Sequence, residues 1–175
     1  MSLFYITGPT EAGKTFFKNE LIKLDYKAYD TDEGINAHFN IKTGSEAEYP
    51  AAGKVTPGWL GSHRYLMPET RIRLLHMEAQ HGAVFLCGAA YNDLDMIKYF
   101  DKVFCLTVDK NTAEQRVLTR QTNDFGKVPS EMKSILDRHD IVIQKYLNAG
   151  VIIVDTFSMN VTDIVNQILQ IVGEK

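Results

Sequence analysis

The sequence contains little cysteine and none of the long apolar runs that span membranes. Only two of its 175 residues are cysteine. Cys87 and Cys105 both lie in short apolar runs, which is typical of small core residues in a reducing compartment and does not favour a disulfide or a metal site. No segment approaches the ~20 apolar residues of a membrane span, and no signal peptide is recognisable. We therefore expect a cytoplasmic protein with no membrane partner.

An excess of charge of one sign is also missing. The chain has 19 Lys and Arg against 22 Asp and Glu, which gives a formal net charge of -3. No basic surface is therefore expected, and we predict no nucleic-acid polymer as a partner. The 45% content of hydrophobic residues is that of an ordinary globular protein. We expect one domain over residues 1–175, present as a monomer or homodimer.

The stretch GPTEAGKT has the spacing G-x-x-x-x-G-K-[ST] of a phosphate-binding loop. It follows an apolar, strand-like run and leads into a helical pattern. In such a loop the backbone N–H groups surround phosphate oxygens, the lysine reaches the outer phosphates, and the final hydroxyl binds Mg²⁺. The expected nucleotide-binding residues are the whole stretch: Gly8, Pro9, Thr10, Glu11, Ala12, Gly13, Lys14 and Thr15.

Short apolar runs alternate with helical patterns along the chain, which predicts a parallel sheet with helices on both faces. We therefore expect an α/β fold with five parallel strands, at residues 3–7, 26–29, 83–87, 102–108 and 151–154. Thr112 and Gln115 have the spacing of a capping box, which predicts a helix start at that point. Apolar spacing predicts two further helices, from residue 129 to about 149 and over 161–172.

Two carboxylates stand at the end of the second predicted strand, in YDTDEGI. Asp30 and Asp32 are two residues apart, so in an extended segment both would project from the carboxyl edge of the sheet. One carboxylate can hold Mg²⁺ while the other accepts a proton from a substrate hydroxyl. The alternative is a solvated polar turn. The Gly- and Pro-rich stretch over residues 43–68 is too long for a simple connection and predicts a functional insertion.

Two later clusters can serve the same chemistry. Arg116 and Arg120 are four residues apart and would share one helix face. Their guanidinium groups can bind charge on a transferring phosphoryl group, with Lys127 arriving from the next loop; the alternative is a solvated face. Gly88 and two alanines close the third strand, where small residues allow either close approach of a ligand or tight packing.

Together these motifs resemble the small P-loop kinases, the group that includes shikimate, gluconate and adenylate kinases. The order of the motifs carries the resemblance over nearly the whole chain, and RVLTRQTNDFGK looks like a lid region. YDTDEGI is similar to the D-[ST]-D segment of shikimate kinase, which implies that Asp30 organises Mg²⁺ and Asp32 holds the acceptor hydroxyl. The resemblance implies a P-loop NTPase fold, adenylate kinase-like, with a lid over about 116–128 and an acceptor-side insertion over about 34–80.

The resemblance implies an enzyme that transfers the γ-phosphoryl group of ATP to a hydroxyl of a small metabolite or nucleoside, with Mg²⁺. The glycine triplet of shikimate kinase is reduced here to one glycine and two alanines, which argues against shikimate itself. The catalytic residues would be Lys14, Asp32, Arg116 and Arg120, and the nucleotide contacts would include Arg116, Arg120 and Lys127. The metal ligands would be Thr15 and Asp30. The acceptor contacts would be Asp32, Arg64, Arg71 and Gly88.

Three other functions remain open at this point. A P-loop ATPase would use a strand that ends in an acidic residue, and Asp155 after VIIV is the best candidate. A nucleotide-binding sensor would retain the loop without catalysis. A nucleoside monophosphate kinase would need arginines for its phosphorylated acceptor more than the acidic pair. A GTPase is disfavoured because no N-K-x-D motif is present.

Overall fold

A computed structural model of the chain describes residues 2–51, 54–121 and 126–174. These residues form eight strands: β1 Ser2–Thr7, β2 Lys27–Asp30, β3 Ala37–Asn40, β4 Glu46–Ala47, β5 His63–Leu66, β6 Ala83–Cys87, β7 Lys102–Thr107 and β8 Ile152–Asp155. They also form seven α-helices: α1 Lys14–Lys23, α2 Pro57–Ser62, α3 Glu69–Glu78, α4 Asp93–Met96, α5 Lys110–Thr119, α6 Pro129–Asn148 and α7 Val161–Val172. No described helix is long and apolar enough to cross a membrane.

The central sheet contains five parallel strands in the order β2-β6-β1-β7-β8, which confirms the predicted fold class. Strand β1 shows why both faces are covered. Phe4 and Ile6 face a core cluster that includes side chains of α1 and α7, while Leu3 and Tyr5 face a second cluster with side chains of α3 and α6. Because successive side chains of a strand alternate between faces, an uninterrupted apolar run requires helices on both sides.

Two of the predicted helices begin where the sequence placed them. Helix α6 begins with Pro129 at its first turn, and α7 is capped by the Asn160 side chain. The predicted start of α5 at Thr112 was wrong. The Asp109 carboxylate accepts hydrogen bonds from the Thr112 N–H and hydroxyl, at 3.0 and 2.6 Å, so Asp109 is the N-cap. The helix therefore begins at Lys110, and Asp109 satisfies one of the free N–H groups of its first turn.

The insertion is a small antiparallel sheet in the order β4-β3-β5. The short helix α2 lies between β4 and β5 in the chain. None of the residues in these four elements is fully buried. Its aromatic side chains instead contact one another, with ring centroids 4.3 to 5.2 Å apart, and we call these five residues the aromatic cluster: His38, Tyr49, Trp59, His63 and Tyr65. Helix α3 lies inside the predicted boundary of the insertion, but it packs Ile72 and Leu75 on the main sheet.

Helix α7 allows a matched test of the core. Ile168 is fully buried against the sheet, whereas Ile171 on the same helix is 39% exposed. We expect Ile168→Ala to lower the free energy of unfolding by about 2–5 kcal/mol, because it removes buried methyl groups and leaves a cavity. Ile171→Ala should cost about 0.5 kcal/mol. Urea unfolding followed by circular dichroism measures both, and equal losses would contradict the described packing.

Candidate active site

The phosphate loop begins where β1 ends and lies directly against β7. Gly8 has a φ of 141°, and a Cβ atom at this position would stand 2.2 Å from the Leu106 carbonyl oxygen. Only glycine fits there, because any other residue would collide with the backbone of β7. Gly13, with a φ of 96°, ends the loop as the N-cap of α1. The two glycines of the motif therefore permit the backbone path of this loop.

Lys14 is the first residue of α1, and its side chain folds back over the loop. Its Nζ donates hydrogen bonds to the carbonyl oxygens of Gly8 and Pro9, both at 2.8 Å. Desolvation lowers the pKa of Lys14, and the nearby Asp30 and Glu11 carboxylates act in the opposite direction. The ammonium group is thus held at the loop itself, where a phosphate-binding lysine has to be.

Both predicted arginines lie at the loop and contact the same residue. Glu11 has a φ of 66°, and its carbonyl oxygen accepts a hydrogen bond from Arg116 Nη1 at 2.9 Å. The Glu11 carboxylate forms an ion pair with Arg120, and both side chains are largely buried. Arg116 on α5 and Arg120, the residue directly after this helix, are therefore both directed at the loop. The role of Glu11 as the anchor of both arginines had no signal in the sequence beyond its place in the motif.

A cavity of about 360 Å³ adjoins the loop on the side of α5 and α7. Its polar rim includes Arg116, Thr119 and Thr156. The Thr156 hydroxyl donates to the Thr107 carbonyl oxygen at 2.8 Å, which ties the segment after β8 to the sheet. The cavity walls are mainly apolar and include Phe16, Phe17, Leu106, Met159, Val161 and Ile164. Such a cavity beside a phosphate loop has room for a flat apolar ring.

The acidic pair lies at the end of β2, where the chain makes a tight turn over Thr31–Ile35. Asp30 caps this turn, since its Oδ1 accepts a hydrogen bond from the Asp32 N–H at 3.1 Å. Glu33 accepts from the Asp30 N–H at 3.0 Å and forms an ion pair of 2.5 Å with the buried Lys18. Desolvation raises the pKa of Asp30. Sequence reasoning missed the Lys18–Glu33 pair, because lysine on a helix normally faces water.

Thr15 and Asp30 are the groups suited to Mg²⁺. Mg²⁺ is usually bound by one or two carboxylates together with nucleotide phosphates and water, so a single carboxylate and a hydroxyl beside a phosphate loop fit this ion. Asp30 Oδ1 is engaged by the turn, and no hydrogen bond to its Oδ2 occurs among the described residues. Within the described part of the chain, no group of three or more His, Cys, Asp or Glu side chains could hold a metal without a nucleotide.

Asp32 faces the insertion. Its Oδ1 accepts a hydrogen bond from the Tyr65 hydroxyl at 2.6 Å. The two arginines predicted to bind the acceptor are engaged inside the insertion. Arg71 binds Glu46 through two contacts of 2.9 Å, and Arg64 donates to the His63 carbonyl oxygen at 2.9 Å. Their contact with an acceptor stays a prediction.

Gly88 is required by packing at the end of β6. It has a φ of 151°, and a Cβ atom there would stand 1.9 Å from the Thr31 hydroxyl oxygen. The close approach that glycine permits is therefore made by Thr31 of the acidic turn. This joins the end of β6 to the turn that carries Asp30 and Asp32. Contact of Gly88 with an acceptor stays a prediction.

A second cavity, of about 250 Å³, lies between the loop, Ala89–Ala90 and α6. Arg138 and the fully buried Tyr146 contribute to its lining. His139 also lines it; this side chain is 3% exposed, and its Nε2 has no hydrogen-bond partner among the described residues. Sequence reasoning missed this side of the site, because the spacing of α6 marks these positions only as core-facing.

Tyr146 links α6 to the loop through the buried Asp93. Its hydroxyl donates to Asp93 Oδ2 and lies 2.8 Å from Thr7 Oγ1, one residue before the loop. Lys145 binds the other Asp93 oxygen at 2.5 Å. Burial raises the pKa of Tyr146, so it remains a neutral donor. This network holds α6 against the start of the phosphate loop.

Lys127 lies elsewhere. It lines a cleft of about 500 Å³ between α5 and α6, together with Glu114 and Met132. It is not among the residues that line the two cavities beside the loop. The predicted lid over 116–128 includes residues 122–125, which are outside the described residues. The nucleotide contact of Lys127 and the lid therefore stay predictions.

No protein-family model and no curated protein matches the sequence. Solved structures do match. Shikimate kinase from Acinetobacter baumannii, in complex with shikimate, is similar with a TM-score of 0.62 and 18% identity over 98% of this chain and 93% of that chain. Shikimate kinase from Bacteroides thetaiotaomicron is similar with a TM-score of 0.57 and 14% identity over 98% of both chains. Deoxyadenosine kinase from M. mycoides with bound dATP is similar with a TM-score of 0.52 and 14% identity over 99% of this chain and 100% of that chain.

The chain has the fold of the small P-loop kinases. The fold and the resemblance predicted from the motifs are thereby confirmed. The P-loop kinase fold also accounts for the order of the five parallel strands and for the position of the loop after the central strand β1. At these identities the similarity concerns the fold, and the chemistry has to be argued from the site.

The Tyr146 network gives a stability prediction. Tyr146→Phe removes the hydroxyl that serves Asp93, a residue with 1% exposure, and leaves that carboxylate with Lys145 alone. We expect a loss of about 1–3 kcal/mol in the free energy of unfolding, because a buried acceptor loses its partner. Tyr91→Phe is the control, since Tyr91 is 68% exposed. Guanidinium unfolding compares the two, and an unchanged Tyr146→Phe protein would contradict the network.

Proposed function

We propose that the protein transfers the γ-phosphoryl group of ATP to a hydroxyl group of a small metabolite or nucleoside. The observation that carries the proposal is the acidic turn beside the phosphate loop. Asp30 is close enough to Lys14 to influence the pKa of its ammonium group, and Asp32 stands two residues further on, exposed and with one oxygen open. A loop that only binds nucleotide has no need of a second carboxylate, whereas in a kinase this carboxylate can receive the proton of an acceptor hydroxyl.

The donor nucleotide would lie across the loop. Its phosphates would meet the loop N–H groups and Lys14, while its base would enter the apolar cavity of about 360 Å³. Arg116 and Arg120 already lie at the loop through Glu11, where guanidinium groups can stabilise charge on the transferring phosphoryl group. We favour ATP over GTP because Glu11 is the sole acidic side chain in the described lining, and it is paired with Arg120.

Mg²⁺ held by Thr15 and Asp30 would neutralise charge on the β- and γ-phosphates. In the transfer, the acceptor hydroxyl oxygen bonds to the γ-phosphorus, and the bond from that phosphorus to the bridging oxygen of ADP breaks. Asp32 orients the hydroxyl and takes its proton late, because phosphoryl transfer depends mainly on positioning and electrostatics. In the absence of Mg²⁺, desolvation raises the pKa of Asp30 above that of an ordinary aspartate, and a bound cation would act in the opposite direction.

Two observations support a small hydroxyl-bearing molecule as the acceptor. The acceptor side is formed by residues of this chain: the acidic turn, the segment Ala89–Ala90 that lines the second cavity, and the insertion. Asn36 joins the first two, since its Nδ2 donates to the Ala89 carbonyl oxygen at 3.0 Å. The similar structures are kinases of shikimate and of deoxyadenosine, both of which bear hydroxyl groups.

The ATPase alternative depends on Asp155. Its carboxylate accepts a hydrogen bond from the Phe157 N–H at 2.9 Å, and the next residue, Thr156, lines the apolar cavity. Asp155 therefore lies on the base side of the proposed nucleotide, away from the acidic turn. A monophosphate kinase would need arginines for its phosphorylated acceptor more than a carboxylate, so the exposed Asp32 favours a hydroxyl acceptor. The cytoplasmic location and the monomeric or homodimeric state stay predictions.

Lys14→Ala should reduce ATP turnover at least about 100-fold, because it removes the cation at the phosphates while leaving the core untouched. Lys23→Ala is the control, since Lys23 ends the same helix and is exposed. Turnover is measured by ADP release with Mg²⁺, and folding by circular dichroism. Full activity of folded Lys14→Ala would remove the phosphate loop from the mechanism.

The acceptor is sought with a panel of nucleosides, sugars and hydroxy acids that includes deoxyadenosine, shikimate and gluconate. Each compound is tested for thermal stabilisation in the presence of a non-hydrolysable ATP analogue and then for ATP-dependent phosphorylation. A compound at 100 times its Kd should stabilise the protein by about 2.7 kcal/mol. If the protein phosphorylates no compound of the panel, the result counts against the proposed function.

Asp32→Asn keeps the shape of the side chain but cannot accept a proton. With the best acceptor of the panel, we expect kcat to fall by about 10²–10⁴-fold while KM for ATP changes only a few-fold. Asp155→Asn should retain activity. The reverse result, an active Asp32→Asn protein and an inactive Asp155→Asn protein, would contradict the kinase proposal and favour an ATPase.

A further inference from the structure

We propose that Tyr65 is a positioning residue that holds the Asp32 carboxylate in the orientation needed to receive the acceptor hydroxyl. This inference rests on the proposed function, in which Asp32 is the proton acceptor. It gives the insertion an indirect part in catalysis, through a tyrosine that lies 33 residues further along the chain than Asp32.

The contact is selective for one carboxylate oxygen. The Tyr65 hydroxyl donates to Asp32 Oδ1 at 2.6 Å, and no hydrogen bond to Oδ2 occurs among the described residues. The Asp32 side chain is exposed, so without this bond its carboxylate would rotate freely in water. With Oδ1 held, Oδ2 is left in a defined direction as the acceptor for a substrate hydroxyl.

Tyr65 is itself held on more than one side. It lies in β5 opposite His38 of β3, and the two rings are 4.7 Å apart. Its carbonyl oxygen accepts a hydrogen bond from the Tyr91 N–H at 2.8 Å, which ties β5 to the segment after β6. A group can position another only if it is fixed itself, and these contacts fix the phenol ring.

The hydroxyl also remains a donor. Desolvation and the hydrogen bond to Asp32 both raise the pKa of Tyr65 above its ordinary value. The phenol therefore stays protonated over the pH range in which kinases work. Because its proton is directed at Oδ1, Tyr65 does not compete with the acceptor for Oδ2.

The test compares Tyr65→Phe with Tyr49→Phe. Both changes remove one hydroxyl and keep an aromatic ring of the same cluster, but no hydrogen bond of the Tyr49 hydroxyl occurs among the described residues, and Tyr49 is 54% exposed. With the acceptor found in the panel, Tyr65→Phe should lower kcat about ten-fold and leave KM for ATP unchanged. Tyr49→Phe should match the wild type.

A double variant separates positioning from direct catalysis. If Tyr65 acts through Asp32, then Tyr65→Phe should have no further effect on kcat in the Asp32→Asn background. Proton NMR of tyrosine-labelled protein, without any acceptor, supplies a second readout. The Tyr65 hydroxyl proton should exchange slowly with solvent in the wild type and in Tyr49→Phe, and quickly in Asp32→Ala.

The outcomes distinguish the two proposals. If Asp32→Asn is impaired as expected and Tyr65→Phe is fully active, the role of Tyr65 is overturned and the proposed function stands. A fast-exchanging Tyr65 hydroxyl in the wild type also overturns it. A fully active Asp32→Asn protein, or a panel without turnover, defeats the proposed function and this inference with it. Additive losses in the double variant would show that Tyr65 does not act through Asp32.

Discussion

The contact of Gly8 with the backbone of β7 is the constraint on which the site depends. The first residue of the phosphate loop has to pass so close to the Leu106 carbonyl that no side chain fits, and the loop is thereby pressed against the sheet. From this position its carbonyl groups hold Lys14, and Glu11 contacts Arg116 of α5 and Arg120 just after it. A loop displaced by even the width of a methyl group would lose these contacts together, since they share one short segment of backbone.

Charge at this edge of the sheet is balanced within the protein. Lys14 is bound by two carbonyl oxygens, Arg120 by Glu11, and Lys18 by Glu33. Desolvated cations need such partners, because an unpaired charge in a poorly hydrated site costs free energy. The same arrangement explains the opposite pKa shifts of Lys14 and Asp30: desolvation disfavours the charged form of each, so one pKa falls and the other rises.

The insertion is stabilised differently from the rest of the molecule. Its strands and α2 contain no fully buried residue, and its cohesion comes from the rings of the aromatic cluster, while the Arg71–Glu46 pair joins α3 to β4. Aromatic pairs contribute little beyond their buried area, about 0.5–1.5 kcal/mol each. The insertion is therefore attached to the main sheet through a few polar contacts at the acceptor side, including Tyr65 to Asp32 and Asn36 to Ala89.

The sequence alone determined the five strands, the phosphate loop and the helices α6 and α7, because apolar periodicity and the glycine spacing are local properties of the chain. Helix spacing also predicted that Arg116 and Arg120 point the same way, although Arg120 follows the last residue of α5. Only the tertiary structure decided that Glu11 anchors those arginines, that Gly88 accommodates Thr31, and that Tyr65 reaches Asp32. These contacts join residues far apart in the chain, and no local pattern records which strand ends and turns will meet when the sheet forms.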